Sequence, residues 1–239
     1  MAQPVRIRAR VEQVVNHAPG LRSLVLKPER VVPRFKPGQF LHLALDAWDP
    51  SAHWPDSRPL SVASPPESRE ELRVTVSEVG PFTSRIMAAA VGDMVWVKLP
   101  YGEFVVESSG SAPAVLVAGG TGVAPFVSLA TSDSALGGPV RLLYGVRRPD
   151  LLIYGDVLDK AAERNPHLRW EAFVEQNAPA GTRDRRLSAD AAMAAAESTG
   201  APSTAVFYLS GPPEMISALS AGLAEAGVTP DRIRVDAWA

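Results

Sequence analysis

Cysteine is absent from the 239 residues of this sequence. Without thiols the chain cannot form a disulfide, an all-cysteine zinc site or a cysteine-ligated iron–sulfur cluster. The sequence also lacks a basic surplus, since its formal net charge is −2 at pH 7. Nucleic-acid-binding domains usually carry excess Lys and Arg. We therefore expect no nucleic-acid partner.

Long apolar runs are missing as well. The longest, such as Ala114–Ala118, are far too short to span a bilayer. Polar and apolar residues alternate from Val5 to Val15, which predicts a strand and not a signal peptide. The four histidines are scattered without metal-ligand spacing, so we predict no metal site. We expect a cytoplasmic protein without a membrane span.

The first half of the sequence contains short β-branched or alternating runs between Pro/Gly turns, which are typical of strands. We predict six strands: Val5–Val15, Leu21–Lys27, Gln39–Leu45, Arg58–Ser64, Leu72–Ser77 and Met94–Leu99. One helix, Thr83–Ala90, is predicted between the last two. Six strands of this kind predict a small antiparallel barrel.

The second half contains apolar runs without alternation: Ala114–Ala118, Val140–Tyr144, Leu168–Val174, Ala205–Leu209 and Ile233–Val235. Helices are predicted between them: Ala124–Ala130, Gly155–Ala162, Leu187–Ala196 and Pro213–Ala226. This alternation predicts a parallel sheet that binds ligands at the carboxyl ends of its strands. We therefore predict a first domain at residues 1–106, a linker at 107–112 and a second domain at 113–239.

A glycine-rich turn follows the strand Ala114–Ala118. Its residues Gly119, Gly120, Thr121 and Gly122 would let backbone N–H groups approach a phosphate before the next helix. The turn does not match the G-x-G-x-x-G fingerprint. On this motif alone, a phosphate site and an ordinary glycine-rich turn are about equally favoured.

Four further motifs occur in one order along the chain: Arg58-Pro-Leu-Ser61, Gly80-Pro-Phe-Thr-Ser84, Ser210-Gly-Pro-Pro-Glu-Met215 and Asp236-Ala-Trp-Ala239. In order and spacing they resemble the ferredoxin–NADP reductase superfamily of flavoproteins. The resemblance implies an antiparallel Greek-key barrel that binds FAD, followed by a Rossmann-like α/β domain that binds NAD(P)H.

For the first domain, the resemblance implies that Arg58 pairs with the flavin phosphate and that Ser61 bonds to the flavin N5 edge. Leu60 stands where relatives carry an aromatic residue that packs on the ring. The other expected cofactor contacts are Pro59, Thr75, Val76, Ser77, Gly80, Thr83 and Ser84. FAD is favoured over FMN, because Arg58 and Gly80–Ser84 can together hold a pyrophosphate. The alternatives are a surface salt bridge for Arg58 and a helix N-cap for Thr83 or Ser84.

For the second domain, the resemblance places Ser210 where relatives carry a nicotinamide-site Cys. Asp236 and Trp238 match a terminal acidic–aromatic pair, although Trp238 could instead be a hydrophobic plug. Ser61, Ser210 and Asp236 are the expected catalytic set around the reacting atoms. The remaining nucleotide contacts are Gly120, Thr121, Gly122, Arg147, Gly211, Pro212 and Met215.

The cofactor preference rests on charges that follow the strands of the second domain. Glu175 favours NADH, because a carboxylate accepts a bond from the ribose 2′-OH and repels a 2′-phosphate. Arg147 and Arg148 favour NADPH, because they could bind its 2′-phosphate. The run 183–186, rich in arginine, is interpreted as a solvated loop that could still touch an adenosine phosphate.

The resemblance implies an NAD(P)H oxidoreductase that reduces FAD and passes electrons to a ferredoxin, an oxygenase component or a quinone. Two alternatives stay open. One is a flavin reductase that uses free flavin as a substrate, and the other is a non-catalytic flavin- or nucleotide-binding subunit. Trp48 and Trp54 are interpreted as packing residues of a loop that could also cover a flavin.

Overall fold

The computed structural model describes residues 3–106, 111–134 and 136–236. The chain divides into two compact units, Met1–Val105 and Val106–Ala239. Most of the predicted linker, residues 107–110, lies outside the described residues. Within the described ranges, no helix is long and apolar enough to cross a membrane.

The first unit is built on six antiparallel strands in the order β4-β3-β6-β1-β2-β5. Their bounds are β1 Val5–Ala18, β2 Leu21–Pro28, β3 Phe40–Ala44, β4 Ser57–Ser61, β5 Leu72–Ser77 and β6 Met94–Tyr101. Side chains of alternate residues enter a common core, as in β1, where Ile7, Ala9 and Val11 are at most 2% exposed.

The two outer strands of this sheet also approach each other. Just after β4, the N–H of Ala63 donates to the carbonyl of Arg73 in β5 at 2.8 Å, and the N–H of Arg73 donates to Ser64 Oγ at 3.1 Å. These bonds nearly close the sheet on itself. The predicted antiparallel barrel is confirmed.

Helix α1, Pro81–Ala88, lies between β5 and β6 and buries Phe82 and Ile86. The sequence prediction of Thr83–Ala90 placed both ends of the helix two residues too late, since the helix already begins at Pro81. Proline is well placed in a first helical turn, where its missing N–H has no intrahelical partner to lose.

The second unit is a parallel sheet in the order β10-β9-β8-β7-β11-β12. Its strands are β7 Ala114–Gly119, β8 Val140–Val146, β9 Leu168–Val174, β10 Arg183–Asp184, β11 Val206–Ser210 and β12 Ile233–Val235. Its helices are α2 Ala124–Ala130, α3 Gly155–Arg164, α4 Ala189–Glu197 and α5 Pro213–Glu225. The predicted α/β architecture is confirmed.

Strand β10 is the element that the sequence prediction missed. It consists of two exposed residues that pair with Phe173 and Val174 of β9 at the edge of the sheet. We had interpreted this arginine-rich run as a solvated loop. Two exposed charged residues carry no apolar pattern, so only the neighbouring strand defines them as a strand.

Candidate functional sites

Arg58 lies beside the first turn of α1. It pairs in register with Leu43, a core residue of β3, so its side chain starts on the interior side of the barrel. Its guanidinium carbon lies 4.7 Å from the centroid of the Phe82 ring. The sequence analysis did not single out Phe82. Its place inside the Gly80–Ser84 motif was the available signal.

The guanidinium of Arg58 also forms a salt bridge. Its Nη1 donates to Asp56 Oδ1 at 2.7 Å and to the carbonyl of Ser57 at 2.9 Å. The surface salt bridge that we considered as an alternative is therefore present. It occupies one nitrogen of a group with five N–H donors. Exposed ion pairs contribute only about 0–1 kcal/mol, so a phosphate could compete for this side chain.

The turn before α1 is held by Thr83. Its hydroxyl accepts from the N–H groups of Val79 and Gly80 at 2.8 and 3.0 Å, and it donates to the Gly80 carbonyl at 2.8 Å. The N-cap is Gly80, so the hypothesis that Thr83 or Ser84 caps the helix was wrong. Apart from its two chain neighbours, none of the described residues has an atom within 4 Å of a Cβ built at Gly80.

This open turn can hold an anion. The first N–H groups of a helix have no intrahelical partners, and they lie at the positive end of the helix dipole. Arg58 adds a full positive charge beside them. Arginine and a helix N-terminus are both well suited to binding phosphate. The residues present therefore fit a flavin phosphate.

Strand β5 offers less side-chain surface than expected. Val76 is in the core, and Thr75 is 6% exposed with its hydroxyl 2.8 Å from Ser23 Oγ. The side chains of Thr75 and Val76 are therefore not available to a ligand, which could reach only their backbone. Ser77 is half-buried. Leu60 on β4 is partly buried and packs against the barrel core.

The residues of the Arg58 motif divide between the two faces of β4. Arg58 and Leu60 share one face, and Pro59 and Ser61 share the other. Pro59 pairs with His42 of β3, and Ser61 pairs with Phe40. The structure therefore does not bring the Ser61 side chain to the face that carries Arg58.

The glycine-rich turn of the second unit is closely packed. Gly119 ends β7, and a 3-10 turn, Gly120–Val123, separates it from α2. A Cβ at Gly122 would lie 2.4 Å from the Ser210 carbonyl oxygen, and one at Gly119 would lie 2.6 Å from Met215 Sδ. Internal packing therefore explains both glycines.

The middle of the same turn is open. Gly120 has a φ of +54°, and a Cβ built there would meet no described atom within 4 Å. Thr121 and Gly122, which follow it, are half-buried. The strand therefore enters α2 through an intervening turn, as the sequence predicted. Gly120 and Thr121 are the residues at which a ligand could approach this backbone.

Ser210 and Asp236 form a buried pair at the carboxyl ends of neighbouring parallel strands. Ser210 Oγ donates to Asp236 Oδ2 at 3.1 Å, and the two residues are 1% and 5% exposed. The N–H of Asp236 donates to the carbonyl of Leu209 at 2.9 Å. The structure thus brings two of the three predicted catalytic residues together. Trp238 lies outside the described residues.

The loop after β11 contacts the glycine-rich turn. Gly211 has a φ of +152°, and a Cβ there would lie 2.6 Å from Met215 Cε and 2.9 Å from the Gly119 nitrogen. Pro212 is the N-cap of α5, and Met215 lies in the first turn of that helix. The predicted nucleotide residues of both loops therefore form one cluster.

Arg147 and Glu175 lie at the same edge of this sheet. They follow Val146 and Val174, which pair in register. Arg147 is exposed. The Glu175 carboxylate lies 3.8 Å from Arg186 Nε. Charges of both signs therefore meet where the ribose of a bound nucleotide was expected.

Arg148 has a partner of its own. It bonds to Asp150 through two nitrogens, at 3.0 and 2.8 Å. This side chain is therefore less free than Arg147 to bind a nucleotide phosphate. Among the residues that the structure describes, no group of three His, Asp or Glu side chains could hold a metal ion.

Comparison with known proteins gives a family match for part of the chain. Residues 116–221 match the model of the oxidoreductase NAD-binding domain. The chain is 40% identical over 139 residues to a probable dihydroorotate dehydrogenase B (NAD(+)) electron transfer subunit of Methanopyrus kandleri, covering 54% of this chain and 48% of that protein. It is 28% identical over 242 residues to the propane 2-monooxygenase reductase component of Mycolicibacterium smegmatis, covering 97% and 67%. These matches relate residues 116–221 to oxidoreductase NAD-binding domains and the longer stretch to a reductase component.

Solved structures of reductases share the fold. A ferredoxin NADP+ reductase from Neisseria gonorrhoeae with bound FAD and NADP superposes with a TM-score of 0.76 at 22% identity, covering 98% of each chain. At this identity the match shows the fold alone. Our chain spans about half of the first curated relative and two thirds of the second.

Proposed function

We propose that this chain is an NAD(P)H-dependent flavoprotein reductase, with FAD held by residues 1–106 and NAD(P)H by residues 113–239. One observation carries the proposal: the Arg58 guanidinium lies against Phe82 at the open N-terminus of α1. When bound, FAD supplies the chemistry, because it accepts a hydride and releases electrons singly or in pairs.

In the first unit, Arg58 and the first turn of α1 bind the pyrophosphate. Thr83 keeps the turn in shape through its three bonds to Val79 and Gly80. Pro59 and the backbone of β5 shape the surface for the flavin ring, whereas Leu60 packs against the barrel core on the other face of β4. Ser61 bonds to the N5 edge, as the family resemblance implies. A pyrophosphate site of this kind favours FAD over FMN.

In the second unit, Gly120, Thr121 and the Gly211 loop receive the nucleotide. Ser210 and Asp236 lie beside the nicotinamide in this proposal. The Ser210 proton is donated to Asp236, so Ser210 orients that carboxylate. Neither group has to transfer a proton for a hydride to move.

NADH is the preferred nicotinamide in this proposal, because Glu175 can accept a bond from a ribose 2′-OH. Arg148 is engaged by Asp150, which supports the preference. The positive charges of Arg147 and Arg186 would instead favour the 2′-phosphate of NADPH. The ratio of kcat/KM for NADH to that for NADPH measures the outcome. A ratio favouring NADPH by about tenfold would refute the preference, since it equals about 1.4 kcal/mol of discrimination.

The electron acceptor lies outside the residues of this sequence, because a chain without cysteine holds no cysteine-ligated iron–sulfur cluster. A ferredoxin, an oxygenase component or a quinone fits this role. One relative is named as the reductase component of a monooxygenase and another as an electron transfer subunit, which supports a protein acceptor.

The absorption spectrum of the purified protein tests the proposal. We expect a bound yellow flavin that NADH bleaches without oxygen, and mass spectrometry of the released cofactor should give FAD. A colourless protein that reduces added flavin would instead be a flavin reductase. A colourless protein without turnover would be a nucleotide-binding subunit. Release of FMN alone would contradict the FAD assignment.

A further inference from the structure

Two arginines of the first unit contact the same aromatic ring. The guanidinium carbon of Arg58 lies 4.7 Å from the centroid of the Phe82 ring, and that of Arg85 lies 6.0 Å from it. Arg85 follows Phe82 by three residues on α1, so these two side chains share one face of the helix. The two guanidinium carbons cannot be farther apart than those two distances combined. Of the two arginines, only Arg58 has a role in the proposed pyrophosphate site.

Each of these arginines is paired with one aspartate. Arg58 bonds to Asp56, and Arg85 donates to both carboxylate oxygens of Asp46, from Nη2 at 2.5 Å and from Nη1 at 3.2 Å. All four side chains are exposed. Exposed ion pairs contribute little to stability, because water solvates both partners well. A phosphate can therefore replace either carboxylate as the partner of its arginine.

The four charged groups form one cluster. The hydrogen bonds and the charge of Asp46 raise the pKa of Arg85, and the more distant charge of Asp56 raises it further. Asp56, the partner of Arg58, is therefore close enough to act on Arg85 as well. The pyrophosphate of FAD carries one negative charge on each of its two phosphates. It could take the place of both carboxylates without changing the balance of charge around the two arginines.

We propose that Arg85 is a second cation of the pyrophosphate site, and that a phosphate displaces Asp46 from it when FAD binds. The inference rests on the proposed function and adds a cofactor-binding residue to it. A guanidinium presents a planar fork of N–H donors that matches phosphate oxygens, and charge-assisted bonds of this kind are stronger than neutral ones. With Arg58 on one phosphate and Arg85 on the other, each phosphate of FAD has a guanidinium of its own.

A purely structural role for the Asp46–Arg85 pair predicts a different response. Asp46 lies two residues after the end of β3, so the pair links that strand to α1. If the pair only fastened the helix, removal of the Asp46 carboxylate would loosen α1 and weaken FAD binding. If Asp46 competes with phosphate, its removal leaves Arg85 free and strengthens FAD binding. The sign of the change in FAD affinity therefore separates the two roles.

The test measures the Kd of FAD by fluorescence titration of the apoprotein of the full chain. Arg85→Gln should raise the Kd about tenfold, because a charge-assisted bond to phosphate is lost. Asp46→Asn should lower the Kd about threefold, because an exposed ion pair no longer competes for Arg85. Weaker FAD binding in Asp46→Asn would overturn the proposal in favour of the structural role.

Two matched controls accompany these variants. Arg8→Gln removes an arginine of β1 that is also ion-paired, and its exposure of 47% is close to the 49% of Arg85. Asp49→Asn removes a carboxylate from the loop that contains Asp46, but this carboxylate bonds to Ser51 and not to an arginine. Each control should change the Kd of FAD less than about twofold, since distant exposed charges are screened by salt. Changes as large as those at the two test positions would overturn the proposal.

A double variant shows whether Asp46 acts through Arg85. In the Arg85→Gln background, Asp46→Asn should have no effect beyond that of the Asp49→Asn control, because no guanidinium remains for the carboxylate to hold. Direct repulsion between Asp46 and the phosphates would instead give the same change in both backgrounds. That result would overturn the proposed displacement.

FMN provides a comparison with a ligand that has a single phosphate. If Arg58 binds that phosphate, Arg85→Gln should change the Kd of FMN less than the Kd of FAD. Equal losses for the two flavins would show that Arg85 supports the shape of the site without binding the second phosphate, and would overturn the proposal.

Melting temperature shows whether each variant is folded. Arg85→Lys replaces Arg85→Gln if the latter is not folded, and it should still raise the Kd of FAD about threefold, because lysine keeps the charge but lacks the planar fork. Unchanged FAD affinity in the Arg85 variant, together with weaker binding in Arg58→Ala, would overturn only the role of Arg85. Failure of the unmodified protein to bind FAD would refute the proposed function and this inference with it.

Discussion

Gly80 in the first unit and Gly122 in the second stand in turns that precede a helix, but their surroundings differ. A Cβ at Gly122 would lie 2.4 Å from the Ser210 carbonyl oxygen, whereas a Cβ at Gly80 would meet no described atom within 4 Å. The φ of Gly80 is 176°, an extended backbone that any residue adopts. Close packing explains why residue 122 is a glycine. The space beside Gly80, near Arg58, is instead open. A glycine-rich turn is therefore weak evidence of a ligand until its packing is known.

The largest effect is expected for Gly122→Ala. The added methyl would collide with the backbone of Ser210 and Gly211, which cannot move without disturbing β11. We expect the free energy of unfolding to fall by about 3 kcal/mol or more, at the upper end of the cost of overpacking. Urea denaturation of the apoprotein measures this change.

Gly80→Ala is the matched control for this prediction. It should lower the stability of the apoprotein by less than about 1 kcal/mol, the cost of a poorer N-cap. Its effect should be seen in weaker FAD binding, because the methyl enters the open space before α1. Equal destabilisation by the two substitutions would contradict the difference in packing between the two turns.

Arg58→Ala tests whether the open turn of the first unit binds FAD. Loss of a charge-assisted bond to phosphate should cost about 1.5–3 kcal/mol, or about tenfold to over a hundredfold in FAD affinity. Titration of apoprotein with FAD measures it. Arg148→Ala removes an exposed, ion-paired arginine of the second unit and should leave FAD affinity unchanged. Unaltered affinity in Arg58→Ala would exclude Arg58 from the site.

Most of the fold could be predicted, because periodicity reports burial. The bounds of Leu72–Ser77, Leu168–Val174 and Ala124–Ala130 agree with the structure to the residue. Prediction failed where local pattern gives no information. The exposed pair Arg183–Asp184 becomes a strand only through its pairing with β9.

The sequence motifs predicted which segments contribute to the site, but not which of their side chains a ligand can reach. The structure places Arg58 beside α1 and Ser210 beside Asp236, as the motifs implied. It also buries the side chains of Thr75 and Val76. The two residues point to opposite faces of β5, and both faces are covered there. Val76 lies in the core, and Thr75 lies against Ser23 of β2. A linear motif does not encode these contacts.

A smaller effect is expected for Ser210→Ala, which tests the buried polar pair of the second unit. The substitution removes a hydroxyl donor from Asp236, which is 5% exposed. Removing one partner of a buried bond typically costs about 1–3 kcal/mol. Urea denaturation should show this loss in the apoprotein, and Ser210→Cys should recover part of it because a thiol is a weak donor. Full stability in Ser210→Ala would show that Asp236 does not depend on this bond.

The smallest effect concerns His17, which belongs to the polar network of the first unit. Its Nε2 lies 2.8 Å from Ser23 Oγ, which also contacts Thr75. Burial, and secondly the positive charge of Arg73, lowers the pKa of His17 from its usual 6.5. The folded state therefore binds fewer protons at this site than the unfolded state. The contribution of His17 is complete above pH 6.5 and is lost as the pH falls through the lowered pKa of the folded state.

Between about pH 7.5 and pH 5.5, the free energy of unfolding should fall less in His17→Gln than in the unmodified protein. Equal slopes for the two proteins would show that this histidine titrates alike in the folded and unfolded states.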